Sequence, residues 1–259
     1  VNGSLSCNPQ SQVTVTGTDA AIEVSAGGTV CTKGTYSPAP DWSAPPLVDP
    51  LASLPAGPDS SGLTARADCN SGTASPGVYR NIGGTCALGP GLYVVTGTLG
   101  GGGTGSAVTG RGVTVFFTCG TAARPVACAS GGQAGGAVTV TGQAGMVLSA
   151  CTTAPCGGSA WAGMVLWYDR NDTSALTFTG NGALSVIGTV YAQRGDLVVK
   201  GTPATVAGEC GTTANFCSQM VVGSVGFSGQ GNLAVSYTAG QNVWSTRPPE
   251  LCSLRAGNC

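Results

Sequence analysis

The sequence predicts an all-β fold and, within that class, a parallel (right-handed) β-helix with disulfide-stapled loops. Three observations lead there: short β-branched runs closed by glycine, no helical periodicity, and twelve cysteines beside no histidine. Alternating β-branched residues are typical of strands, and glycine after each run permits a tight corner. A β-sandwich or barrel built on hairpins is the alternative, because the same runs fit both architectures.

The β-branched runs recur along most of the chain, at 13–17, 92–97, 113–118, 137–142, 176–180, 184–188, 197–201, 220–229 and 233–237. Taken in threes, they predict stacked coils. One coil would comprise 113–118, 138–141 and 146–149, the next 164–168, 176–179 and 184–187, and the third 189–192, 197–200 and 205–207. Val, Ile, Leu and Phe would stack inward, leaving Thr and Ser outside.

A proline-rich stretch interrupts this pattern, since residues 37–66 hold seven of the fifteen prolines. Proline fixes φ and removes a backbone donor, which favours an extended excursion over a coil. The stretch also contains apolar residues, namely Trp42, Leu47, Val48, Leu51 and Leu54. We therefore expect one extracellular domain over residues 1–259, with an excursion at about 37–66 packed on its surface.

The cysteines indicate an oxidising compartment, where an even and high count persists as disulfides. A zinc site is disfavoured, because Cys151-x4-Cys156 is the only knuckle-like spacing and no second knuckle accompanies it. Spacing does not fix connectivity, so we expect neighbours to pair in order. The expected pairs are Cys7–Cys31, Cys69–Cys86, Cys119–Cys128, Cys151–Cys156, Cys210–Cys217 and Cys252–Cys259. The last four would staple insertions and the C-terminal end, outside the strand ladder.

Charge is scarce, at 8% of residues against about 25% in ordinary globular proteins. The net charge of −1 and the scattered Lys and Arg residues disfavour nucleic acid as a partner. No apolar run approaches the ~18–20 residues of a membrane helix, so we expect no membrane span within this chain. Because the sequence opens at Val1, we expect a targeting or anchoring segment to have been removed.

The acidic residues supply one close pair in the strand-rich region, Asp169 and Asp172, and coil stacking could add Asp196. We interpret residues 169–173 as a polar corner, in which Asp and Asn cap backbone groups and Arg170 pairs with a carboxylate. A calcium site at Asp169 and Asp172 and a glycosidase-like carboxylate pair are the alternatives. No other cofactor is expected. Without histidine the commonest general base is missing, so we expect no enzyme.

Two further patterns are candidates for surface recognition. Trp161, Trp167 and Tyr168 could form a carbohydrate-stacking platform, although such clusters more often pack in a core or an end cap. Threonines alternate at Thr14/Thr16, Thr139/Thr141 and Thr177/Thr179, as on flat β-helices that bind ice, but without a strict repeat.

A series of phrases resembles a known family. They are 49–55 (DPLASLP), 76–79 (PGVY), 90–97 (PGLYVVTG), 110–118 (GRGVTVFFT), 163–170 (GMVLWYDR) and 188–192 (GTVYA), followed by the strand at 197–201. In this order, over roughly residues 49–230, they resemble the extracellular region of TadG-like proteins of the bacterial Tad (Flp) pilus system. The resemblance implies a bacterial cell-surface location. The membrane segment that precedes this region in the family is not in the chain.

These observations favour a non-enzymatic, extracellular structural or adhesive protein associated with a pilus or the cell surface. Its partners would be pilus or surface proteins, further copies of itself, or a glycan. Contact would use Thr/Ser faces, open coil edges and the corner formed by Asp169, Asn171 and Asp172. The alternatives are a carbohydrate-active β-helix enzyme or glycan-binding module, and a self-assembling filament subunit.

Overall fold

A computed structural model describes residues 5–6, 9, 12–16, 23–25, 35–45, 49–152, 159–201, 204–205, 216–217, 219–228 and 232–236. This part of the chain is all-β, and its only helical element is the 3₁₀ turn Ser159–Trp161. Twenty-three strands are numbered in chain order. They are β1 (Leu5–Ser6), β2 (Gln12–Thr16), β3 (Glu23–Ser25), β4 (Thr35–Ser37), β5 (Asp41–Ala44), β6 (Cys69–Ala74), β7 (Gly77–Tyr79), β8 (Ile82–Leu88), β9 (Gly91–Val95), β10 (Thr98–Leu99), β11 (Ala107–Phe117), β12 (Cys119–Thr121), β13 (Arg124–Val126), β14 (Ala137–Val140), β15 (Gly145–Ala150), β16 (Met164–Tyr168), β17 (Leu176–Thr179), β18 (Ala183–Ile187), β19 (Thr189–Lys200), β20 (Ala204–Thr205), β21 (Phe216–Cys217), β22 (Met220–Ser228) and β23 (Asn232–Ser236).

The strands of the large sheet pair in parallel and form three rows. The first row runs β6–β8–β11–β15–β18 and continues to β20 and β21. The second runs β7–β9–β11–β16–β19–β22. The third runs β8–β10–β14–β17–β19–β22–β1. The long strands β8, β11, β19 and β22 each belong to two rows.

Because these long strands connect the rows, seven strands close into a parallel, barrel-like ring: β8, β10, β14, β17, β19, β16 and β11. A sandwich built on hairpins would require antiparallel neighbours. Among the described strands, antiparallel pairing occurs only in the separate hairpin β12–β13. The pairing direction therefore disagrees with the hairpin-built alternative.

The strand partners follow the predicted triplets. Val115 lies beside Leu166 and then Val190, Val138 beside Leu176 and then Leu197, and Met146 beside Leu184 and then Thr205. Because of this register, apolar side chains lie beside apolar side chains on neighbouring strands. One inward column contains Leu99, Val138, Leu176, Leu197 and Val225, all buried. Each such side chain contributes about 1.5–3 kcal/mol by leaving water, which makes these columns the core of the fold.

The N-terminal strands β1 and β2 pair with strands near the C-terminal end of the described chain. Leu5 of β1 lies beside Val225 of β22, and Val13 of β2 lies beside Leu233 of β23. Strand β4 then pairs with β2. Local patterns cannot reveal such a pairing, because it joins segments more than two hundred residues apart.

Two disulfides have both cysteines in the described residues, Cys69–Cys86 and Cys119–Cys128, and both are among the predicted pairs. Cys119–Cys128 closes the β12–β13 hairpin, as expected for a staple on an insertion. Cys69–Cys86 instead joins β6 to β8 inside the core. Cys151 and Cys217 are also disulfide-bonded. The other predicted partners Cys7, Cys31, Cys156, Cys210, Cys252 and Cys259 lie outside the described residues.

One corner between strands repeats a glycine at three successive levels, Gly142, Gly180 and Gly201. Their φ angles are +64°, +119° and +94°, in the left-handed region that favours glycine. A β-carbon on Gly180 would collide with the carbonyl oxygen of Gly142, and one on Gly201 would lie 2.8 Å from that of Gly180. This glycine column lets successive turns approach closely.

Residues 49–66, which we call the strap, cover the outward side of the second row. That side bears an apolar series, Val78, Val94, Phe116, Trp167, Tyr191 and Val221, on neighbouring strands. Leu51 of the strap is 1% exposed, and Leu54 and Leu63 pack against the same cluster. Of the apolar residues singled out in the proline-rich stretch, Leu51 and Leu54 thus pack on this side of the second row. Leu47 and Val48 lie outside the described residues.

Candidate functional site

The predicted polar corner, residues 169–173, lies in the connection from β16 to β17. Asp169 follows the last residue of β16, and its backbone N–H donates to the carbonyl of Phe117 in the strand beside it. Its carboxylate accepts the N–H of Asn171 at 2.9 Å and that of Cys128 at 3.3 Å. The first contact is a local Asp turn, and the second ties the corner to a distant segment.

Asp172 is fully buried against the segment that contains Cys128. Its Oδ1 accepts the backbone N–H groups of Gly135 and Ser174, both at 2.9 Å. Its Oδ2 is buried and has no hydrogen-bond partner. Burial raises the pKa of this carboxyl, and the nearby charge of Asp169 adds to the rise, against the backbone N–H and hydroxyl of Ser174 and the N–H of Gly135.

The segment that meets this corner is residues 119–136, which we call the hairpin insertion. Asn171 donates its side-chain N–H to the carbonyl of Cys128 at 3.4 Å, and its backbone carbonyl accepts the N–H of Gln133 at 2.9 Å. Asp169, Asn171 and Asp172, the predicted binding corner, thus come together and each contacts the insertion. Asp196 joins none of these contacts: it is exposed and accepts a hydrogen bond from Ser224.

Arg170 points the other way, into the strap. Its guanidinium forms an ion pair with Asp49 at 2.9 Å and donates to the carbonyls of Leu51 and Leu54, both at 2.8 Å. It also lies over the rings of Trp167 and Tyr191, at 5.6 and 5.7 Å from their centroids. The expected pairing of Arg170 with a carboxylate is confirmed, and its partner comes from 121 positions earlier.

Tyr191 completes this contact. Its hydroxyl lies 2.8 Å from the Asp49 carboxylate, to which it donates, and burial is the main reason that the Tyr191 pKa is raised. The identity of Asp49 was not predicted from the sequence. The available signal was an acidic residue beside the first apolar residues of a proline-rich stretch.

Most carboxylate oxygens at the corner, the calcium candidate, are bound by the chain's own backbone. Calcium takes six to eight oxygen ligands. Three of the four carboxylate oxygens of Asp169 and Asp172 already accept backbone N–H groups, whose positive ends oppose a cation. Among the described residues no group of three or more His, Cys, Asp or Glu side chains is arranged to hold a metal.

The aromatic cluster is buried. Trp161 is 3% exposed, and Trp167 and Tyr168 are 0% exposed. Trp167 stacks on Tyr191 at 4.0 Å beneath the strap, whereas Tyr168 faces the inner core and packs on Phe117 at 4.4 Å. The exposed carbohydrate platform is therefore wrong, and the core-packing interpretation of these rings holds.

The threonine series is interrupted. Thr139 lies beside Thr177, but the next strand places Val198 at that level, and Thr179 lies beside Lys200. Thr14 and Thr16 are in β2, opposite Ala234 and Ser236 of β23. No regular threonine array extends across these strands.

A cleft of about 180 Å³ lies beside the corner, between the strap and the hairpin insertion. Its lining includes Gly57 and Pro58 of the strap, Pro125 and Val126 of the insertion, and Phe116 and Asp169. Val126 is 45% exposed, the only large apolar side chain so open in the described part of the chain. Sequence patterns could not indicate this cleft, since four separated segments form it.

The chain matches no protein family, no curated protein and no solved structure. None of the helical structure in the described residues is long and apolar enough to cross a membrane.

Proposed function

We propose that this protein is a non-enzymatic, extracellular structural or adhesive protein of the bacterial surface, similar to the TadG-like proteins of the Tad pilus system. One observation carries the proposal: the polar residues of the corner all bind the chain's own backbone or strap. An acid–base catalyst needs a carboxyl free to meet a substrate. Here Asp169 and Asp172 hold the hairpin insertion and Arg170 holds the strap, which is structural work.

We further infer that the three rows are the faces of a right-handed parallel β-helix. In this arrangement β11 and β19 would pass around a corner, since their register shifts between Gly110 and Val113 and between Ala192 and Asp196. The handedness follows from the strong preference of parallel crossovers for a right-handed path. A stiff, disulfide-linked stack suits a protein that carries load or presents a surface.

The adhesive contact would lie at the hairpin insertion, where exposed Val126 stands beside the cleft. An apolar side chain fixed on a disulfide-closed hairpin loses little conformational freedom on binding, which favours a partner protein.

The two alternatives are less favoured by the same contacts. Glycan binding by ring stacking is less favoured because Trp161, Trp167 and Tyr168, the rings that were candidates for it, are buried. End-to-end filament growth needs open strand edges. Pro38 and Pro40 follow β4 at one end, and Gly72, with φ +84°, lies in the irregular strand β6 at the other. Proline and bulges are devices that protect edges from pairing.

The proposal is tested by binding of the fluorescently labelled chain to whole bacterial cells. We expect saturable binding that Val126→Asp reduces at least about tenfold, as for loss of one apolar anchor. Ala123→Asp, an exposed position in the same hairpin, is the matched control and should bind like the unmodified chain.

Polysaccharide hydrolysis is measured in parallel. Turnover that disappears in Asp169→Asn or Asp172→Asn would replace this proposal with the enzyme alternative. Light scattering that grows with concentration would favour the filament instead.

A further inference from the structure

Asp172 presents an unexplained feature, a completely buried carboxyl with one oxygen left without a partner. Its other oxygen is fully used by the N–H groups of Gly135 and Ser174. Buried polar atoms are almost always hydrogen-bonded, so an orphaned oxygen requires a specific cause.

Two acceptor atoms lie near this oxygen, and the Ser174 hydroxyl is the other polar side-chain group beside the carboxyl. Asp172 Oδ2, the carbonyl oxygen of Thr118 and the Sγ of Cys119 lie 2.8, 2.9 and 2.9 Å from the point that a β-carbon on Gly135 would occupy. All three therefore border one small space at the base of the hairpin insertion. An ionised Oδ2 would face two further electron-rich atoms there.

No cation in the described residues compensates for this carboxyl. Arg170 binds Asp49 and the strap, and Arg194 donates to the carbonyl of Ser130 at 3.2 Å. The remaining titratable neighbours are Asp169, a second acid, and Tyr168, whose hydroxyl accepts the N–H of Val138 at 2.8 Å. A buried carboxylate without a counter-ion is costly, and the usual outcome is protonation.

We propose that Asp172 is a neutral carboxylic acid in the folded chain and acts as an acid latch on the hairpin insertion. Protonation turns Oδ2 into an O–H donor, and the carbonyl of Thr118 in the same space can accept it. In this state Asp172 connects the corner to Gly135 and to the base of the insertion. Ionisation removes that donor and places a charge beside Asp169, which releases the insertion.

The direction of the response follows from the raised pKa of Asp172. The latch is complete at pH values below the ordinary Asp pKa, and it is lost as the pH rises through the folded-state value. Its release would free Pro125 and Val126, one wall of the cleft, to move away from the strap. This inference concerns the insertion whatever its partner is, and it does not rest on the proposed function.

Carbon-13 NMR of the labelled Asp172 carboxyl, followed through pH, tests the latch directly in the unmodified chain. We expect one titration step above the ordinary Asp value of about 3.9. We also expect the hydrogen-exchange protection of the Gly135 and Ser174 amides, corrected for intrinsic rates, to fall by up to about tenfold per pH unit beyond that step. A carboxyl that titrates at or below the ordinary value would overturn the proposal.

Asp172→Asn supplies the matched variant, since its amide keeps an acceptor for the two N–H groups and always carries a donor. It should abolish the pH dependence of protection, whereas Asp59→Asn, which alters an exposed turn, should retain it. An unchanged pH profile in Asp172→Asn would contradict the latch. If that variant fails to fold, the carbon-13 titration of the unmodified chain decides alone.

Discussion

Arg170 joins parts of the chain that lie far apart in sequence. Its ion pair and carbonyl contacts hold the strap, and the same guanidinium lies over the rings of Trp167 and Tyr191. A planar guanidinium with five N–H donors can serve several acceptors at once, which an ammonium group cannot.

Replacement of Arg170 should therefore loosen the strap. We expect Arg170→Ala to reduce the free energy of unfolding by about 2–3 kcal/mol, below the cost of breaking a fully buried pair because Arg170 is 23% exposed. Arg170→Lys should reduce the free energy of unfolding by less than Arg170→Ala does. Urea denaturation measures the effect, with Arg194→Ala as the control for an exposed arginine that makes one backbone contact. Equal losses at the two arginines would contradict this role.

Asp172 predicts a pH dependence of global stability. Its pKa is raised in the folded chain, so its favourable contribution is full below the unfolded value and declines as the pH rises through the folded value. Urea midpoints of the unmodified chain and Asp172→Asn should therefore diverge with increasing pH, with the Asn variant becoming relatively more stable. Parallel curves would show that Asp172 titrates equally in both states.

Parts of the corner were accessible from the sequence. Asp and Asn side chains cap backbone groups over short distances, so the local turn of Asp169 and Asn171 follows from residue type alone. The contacts with Asp49 and Gly135 were not accessible, because each depends on which segments the fold brings together.

Strands built from β-branched and apolar residues were predicted best, such as β11, β14, β17 and β19, because their local preference agrees with their burial. Strands such as β6, with the sequence CNSGTA, were missed. Their residues have little strand preference, and pairing with β8 over five positions imposes the conformation.

The glycine column gives an element-scale prediction. Gly180→Ala should destabilise the fold by about 3 kcal/mol, since it adds a collision with the Gly142 carbonyl to a left-handed φ. Gly62→Ala, where a β-carbon meets nothing within 4 Å, should be nearly neutral. Thermal unfolding followed by circular dichroism compares the two. A small effect at Gly180 would show that the corner can open without penalty.

The two disulfides should contribute unequally to the free energy of unfolding. Replacing Cys119 and Cys128 together by Ala should cost about 2–3 kcal/mol, mainly through the entropy of a short loop. The corresponding change at Cys69 and Cys86 should cost more, because it also leaves a cavity in the core. Chemical denaturation of the two double variants provides the measurement. A larger stability loss for the Cys119/Cys128 double variant would mean that the hairpin disulfide is the more stabilising of the two.

At the scale of the whole molecule, the strap shields the apolar outward side of the second row from solvent. Leu51→Ala should cost about 2–4 kcal/mol, as for a buried leucine, and Leu63→Ala less because Leu63 is partly exposed. Limited proteolysis should then cut the Leu51 variant faster between 49 and 66. Unchanged cleavage would mean that the strap is held by Arg170 alone.

The pairing of β1 with β22 also has a consequence for the order in which the protein can mature. A chain emerging from the ribosome presents Leu5 long before Val225 exists, so the first strand must wait unpaired while the intervening rows assemble. Pairing at that end therefore reports on synthesis, because only a molecule made as far as β22 can pair β1 with it.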